Sequence, residues 1–206
     1  MTDEHAAKNL LELLAHWHSD QPLQDSGRVR RIGYQPQKGA RAYLHRLYAG
    51  LGQAEIAEIE AIVGQSIPPR LHEFYRATNG ARLFEGQVSV SGFVRNFSRD
   101  PTREIPICIQ QDNRAFAALR PEWDRQGCFR IGSVSFLRQD EIICGPDDRI
   151  AVLHAETGEP LRRYADVFAC LESFTREMAE FWTDDGIFVG DWQAIDHLLL
   201  GVSGTA

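Results

Sequence analysis

A chain of 206 residues with 43% hydrophobic content can bury a substantial core, and is expected to form one large domain or one domain with extensions. Its 22 basic and 29 acidic residues give a formal net charge of −7, which opposes general binding to nucleic acid or anionic membranes and suits a basic partner. No apolar run approaches the ~20 residues needed to cross a bilayer, and the acidic opening MTDEHAAKNLLELLAHWH lacks the cations of a secretory signal, so a cytoplasmic protein is expected.

The chain opens with a predicted helix. Thr2 can cap it, Asp3 and Glu4 suit its positive end, and Ala7, Leu10, Leu11, Leu14 and Trp17 form an apolar stripe. The stripe must dock, either on the domain, which is the ordinary case, or on a partner. Ser19 to Ala40 reads as a polar loop or partly extended segment. Its run Arg28, Arg30, Arg31 reads as a solvated basic patch rather than a phosphate grip, and Val29 and Ile32 suggest a short strand. Arg41 to Leu51, with Tyr43, Leu44, Leu47, Tyr48 and Leu51, reads as a second helical stripe.

Ile56 to Gly80 is the stretch around which the chain is organised. Ile56, Ile59, Ile62 and Val63 recur on one helical face, and Gly64 stands where a helix needs a left-handed residue after its end. Pro68 and Pro69 cannot continue that helix, but a proline at the first turn can start the next one. Leu71, Phe74, Tyr75 and Thr78 are its expected buried face, and Asn79-Gly80 its expected stop.

Beyond Gly80 the period changes to that of strands. Ala81 to Val94 reads as two strands joined by a turn, Arg95 to Glu104 as a loop, and Ile105 to Ile109 as a short strand. A helix through Ala115, Phe116 and Leu119 should end at or before Pro121. Cys128 to Leu137, Glu141 to Cys144 and Arg149 to His154 supply three strands, with turns at Gly145 to Asp148 and Glu156 to Pro160. The closing helix is capped by Asp166 and buries Val167, Cys170, Leu171, Phe174, Met178 and Phe181. In the tail, Ile187, Phe188, Val189 and Trp192 are expected to be ordered, and Ala194 to Leu200 to form a short helix. This order of elements predicts an α+β fold, a central and mostly antiparallel sheet flanked by helices.

The central corner has the pattern IExxxGxxIPxxLxxFYxxxNG, carried by Ile59, Glu60, Gly64, Ile67, Pro68, Leu71, Phe74, Tyr75, Asn79 and Gly80. It resembles the signature of the SUKH superfamily, the Smi/Knr-type proteins. That family includes a fungal cell-wall assembly regulator and bacterial immunity proteins that neutralise toxins delivered between cells. The likeness covers roughly residues 45 to 182. It implies an N-terminal helix and loop extension over 1–44, a SUKH-like domain over 45–182 and a C-terminal extension over 183–206. It also gives Glu60, Gly64, Pro68, Asn79 and Gly80 structural roles. The chain departs from the family at Gly52-Gln53, where a Ser or Thr usually caps the helix.

Motifs for chemistry are scarce. There is no phosphate-binding loop, nucleophile elbow or H-E-x-x-H zinc helix. His154-Ala155-Glu156 matches half of a zinc-deaminase pattern without its thiolate half. His16 and His18, like Glu58 and Glu60, are two residues apart on a helix and point in different directions. Cys108, Cys128, Cys144 and Cys170 read as small buried hydrophobes in a reducing compartment.

The resemblance therefore implies a binding protein, not an enzyme. It would be an immunity protein without cofactor or metal, a monomer or weak dimer whose partner is a cognate toxin, a basic nuclease being one candidate. The acidic and aromatic anchor candidates are Glu55, Glu58, Asp147, Asp148, Asp184, Asp185 and Trp192. The alternative is a regulatory or scaffolding adaptor that binds a housekeeping protein or a small ligand.

Overall fold

The computed structural model describes residues 4–17, 24–25, 28–97, 104–136, 138–191 and 193–195. In chain order the elements are α1 (Glu4–Leu14) with a 3-10 turn over Ala15–Trp17, β1 (Gln24–Asp25), β2 (Val29–Tyr34), β3 (Tyr43–Ala49), α2 (Gln53–Val63) and α3 (Pro69–Ala77). Then come β4 (Thr78–Leu83), a 3-10 turn over Phe84–Gly86, β5 (Val88–Val90), and the short helices α4 (Ile109–Asn113), α5 (Phe116–Leu119) and α6 (Pro121–Asp124). Strands β6 (Phe129–Val134), β7 (Asp140–Cys144), β8 (Ile150–Leu153) and β9 (Pro160–Tyr164) precede α7 (Val167–Ala179). The nine strands of the described residues form one antiparallel sheet in sequence order, so each pairs with its chain neighbours. The fold is α+β, as the order of elements implied.

The sheet separates two apolar layers. In β7, Ile142 and Cys144 face the main core while Ile143 faces a second cluster with Phe116, Trp123, Cys128, Ala151 and Leu153. In β8, Ile150 and Val152 face the main core, and Ala151 and Leu153 the other side. This period-two division is what a strand covered on both faces requires. Helices α1, α2, α3 and α7 supply the main core with Leu10, Ile56, Ile59, Leu71, Phe74 and Phe174, among others.

The helical corner is built largely as its residues dictate. Gly64 ends α2 with φ +75°, and its N–H bonds the Glu60 carbonyl at 2.9 Å. The Glu60 side chain accepts from Ile67 N–H at 3.0 Å, which ties the linker to the helix it has left. Pro69 takes the first position of α3, with Pro68 as a cap residue that has no side-chain acceptor to offer. Asp148, on the β7–β8 turn, fills that gap: its Oδ1 accepts from Arg70 N–H at 2.9 Å and Leu71 N–H at 3.1 Å. A carboxylate there satisfies orphan donors and complements the helix's positive end.

Several expectations are corrected. Arg41 to Leu51 is not a helix but contains β3, held between β2 and β4. Because both faces of β3 are covered, its apolar residues run without alternation and imitate a helical stripe. Asn79-Gly80 does not stop α3. Thr78 is already extended and the chain passes straight into β4. Gly80, at φ +85°, is required because a Cβ there would lie 2.6 Å from the Val90 carbonyl oxygen. Asn79 holds Phe93 through a bond from Phe93 N–H to Oδ1 at 2.6 Å and from Nδ2 to the Phe93 carbonyl at 2.9 Å. Ile105 to Ile109 forms no strand; Cys108 makes a single bridge to Gly92 and α4 starts at Ile109. Pro121 opens α6 instead of only closing a helix. Pro160, expected in a turn, is the first residue of β9.

The N-terminal stripe docks on the domain. Leu10, Leu14 and Trp17 lie in the main core, and α1 packs on α7. The C-terminal segment also joins, through Trp182 and Ile195, with Phe188 packed alongside. Trp17, His45, Phe84, Trp182 and Phe188 form a chain of ring contacts at 4.8–5.3 Å, so the segments that follow α1 and α7 meet beside β3. Thr2, Asp3, His18 and Trp192 lie outside the described residues, as do residues 98–103 of the expected loop and the predicted helix beyond Ile195.

Candidate functional site

Three side chains of different elements build a concavity on the sheet. Trp123 comes from α6, Arg149 from the start of the β8 hairpin arm, and Arg163 from β9. They border a cleft of about 350 Å³ on the face of the sheet opposite the main core. Its floor is apolar, made of Trp123, Cys128, Ile143 and Ala151, and its rim carries Gln126, Pro146, Asp147, Arg149 and Arg163.

Each wall is held in place. The Trp123 indole N–H donates to the Gly158 carbonyl at 3.1 Å, which orients the ring. The Arg163 guanidinium lies 5.4 Å from the Trp123 ring centroid, a cation–π arrangement. On the opposite rim Asp147 and Arg149 pair at 3.2 Å, both well exposed. The floor thiol of Cys128 has its pKa raised by burial, with the Asp147 charge acting in the same direction. That makes it a poor nucleophile. An aromatic wall, an apolar floor and a few charged rim groups match sites that hold either a small molecule or a protruding partner side chain.

The sequence candidates are distributed over different elements, and only Asp147 lines this cleft. Asp148 is committed to capping α3, and the turn it occupies holds it at φ +67°. Glu55 accepts from Gly52 N–H at 2.9 Å and serves as a cap for α2. Glu58 pairs with Arg95 at 2.6 Å on the surface. Asp184 pairs with His16 at 3.0 Å, and with Asp185 it forms the exposed tip of the hairpin closed by the Trp182–Phe188 bridge. Glu60, Gly64, Pro68, Asn79 and Gly80 all have structural roles at the corner.

Sequence reasoning misses Trp123, Arg149 and Arg163 as site residues. A helix that closes at Pro121 leaves Trp123 without an element. The pattern Leu161-Arg162-Arg163-Tyr164 carries only a faint strand signal, because β9 is an edge strand with no fully buried residue.

The thiols and one histidine are buried. All four cysteines are free and buried, and burial raises the pKa of Cys144 and Cys170 strongly. His45 is fully buried, which lowers its pKa to about 3 and keeps the ring neutral. Among the described residues no group of three or more His, Cys, Asp or Glu side chains is placed to hold a metal ion. No helix of the described residues is long and apolar enough to cross a membrane. Compared with protein-family models, curated proteins and solved structures, the chain matches none of them.

Proposed function

We propose that this protein is a non-catalytic immunity protein of the SUKH type, which acts in the cytoplasm by binding a cognate toxin. The observation that carries the reading is the cleft bordered by Trp123, Arg149 and Arg163. Tryptophan and arginine around an apolar pocket are the composition of interface hot spots. The sequence pattern at Ile59 to Gly80 supplies the family. Its signature residues are engaged in holding the corner, which leaves the partner-facing surface free to differ between relatives. Exposed Asp147 and Arg149 at the rim would set register and speed encounter, as rim charges do.

A second reading rests on the same cleft. About 350 Å³ falls within the usual range for a small-molecule site, as an adaptor with a bound ligand would need. Co-expression with the product of the adjacent gene, followed by purification and a growth assay, separates the two. Immunity predicts a stable complex and rescue from toxicity, with Trp123→Ala and Arg163→Ala each weakening the complex by at least tenfold, about 1.4 kcal/mol. Rescue untouched by both substitutions would move the interface elsewhere. Neither complex nor rescue would favour the adaptor.

A further inference from the structure

At the other end of the sheet, register creates a feature that no single segment of the sequence contains. Arg31 on β2 stands opposite Arg46 on β3, and Arg46 stands opposite Arg82 on β4. Directly opposed residues on adjacent strands share a face, so three guanidinium groups form one row. Tyr43, on the same strand as Arg46, stands beside the row, with the Arg31 guanidinium 5.9 Å from its ring centroid.

Like charges in a row repel, so the row needs an anion. Among the described residues one carboxylate, Glu104, is paired with the row. Its Oε2 accepts from Arg31 Nε at 3.0 Å and lies 3.0 Å from Arg31 Nη2, while Oε1 lies 3.6 Å from Arg46 Nε. Among the described residues, three cations in the row and one anion paired with two of them leave it net positive in a chain of net charge −7. The Nε of Arg82 is buried with no hydrogen-bond partner among the described residues. Beside the row, and reaching it through Glu104 and Tyr48, a cleft of about 210 Å³ runs between the Glu104–Pro106 segment and the β3–β4 corner; Arg28 and Arg95, the latter paired with Glu58, stand on its lining.

We propose that this face docks an acidic, extended segment of a protein partner, and that Glu104 is an internal stand-in for the partner's carboxylate in the free chain. The proposal is independent of the toxin reading, since it concerns β2–β4 and not the Trp123 cleft. A carboxylate is the anion whose fit is already demonstrated here, and forked guanidinium donors match its geometry. A nucleic acid is the poorer occupant, because its phosphates would run beyond the row onto the surface of an acidic protein.

The test uses the full chain, a fluorescein-labelled oligoglutamate peptide, a labelled oligothymidylate of equal charge, and fluorescence anisotropy at low and high salt. Glu104→Gln removes the internal competitor and should tighten peptide binding about tenfold. Arg46→Gln and Arg82→Gln should each weaken it about tenfold, and salt should weaken it further. Should Arg46→Gln lower the melting temperature, Arg82→Gln carries the test, because it makes no bond to Glu104. Peptide binding unchanged in Glu104→Gln, or oligothymidylate bound more tightly than the peptide, overturns the proposal.

Discussion

Acidification should destabilise this protein through one side chain, His45. The ring is fully buried among Trp17 and Phe84, and its Nδ1 faces the Phe84 N–H at 3.4 Å. Phe84 and Glu85 have φ of +52° and +61°, a left-handed conformation that bulky residues rarely adopt, so this contact supports a strained turn. Desolvation lowers the His45 pKa from 6.5 to about 3. A base with a lowered folded-state pKa contributes stability fully present above the unfolded value and lost as pH falls toward the folded one. Between about pH 7.5 and pH 5 this one group should cost about 2 kcal/mol of folding free energy. That is a large share of the ~5–15 kcal/mol typical of a domain. Urea unfolding followed by tryptophan fluorescence at several pH values measures it. His45→Gln, which keeps an acceptor for Phe84 N–H but does not titrate, should flatten the curve by that amount in the same window. Parallel pH dependence in wild type and His45→Gln would refute the assignment.

Two further outcomes follow from the packing. Asp148→Ala should lower stability by about 1–2 kcal/mol through loss of the α3 cap, whereas Asp147→Ala should stay within about 0.5 kcal/mol, both read from urea midpoints. Adjacent acids that look equivalent in sequence are thereby separated. Trp17→Ala should cost about 3–5 kcal/mol in the same assay, since the ring is 1% exposed and in the main core; a loss below about 1 kcal/mol would mean that the N-terminal helix is dispensable.

The sequence by itself determined the elements whose signals are local. The Gly64 stop, the proline start of α3 and the Asp166 cap of α7, which accepts from Ala169 N–H at 2.9 Å, each depend on residues within a few positions. The stripe of α7 and the strands β6, β7 and β8 are likewise legible, because flanking turns delimit them. Only the tertiary structure decided β3, since burial on both faces erases the alternation that marks a strand. The same holds for Gly80, whose requirement for a missing Cβ comes from Val90 on the neighbouring strand. The candidate site is almost invisible in the sequence. Trp123, Arg149 and Arg163 are brought together by a helix, a hairpin and an edge strand, and the Arg31, Arg46 and Arg82 row by the register of three strands. Composition shows an acidic chain, but it cannot show that register gathers its cations on one face, because side-chain neighbourhood across a sheet depends on pairing and not on distance along the chain.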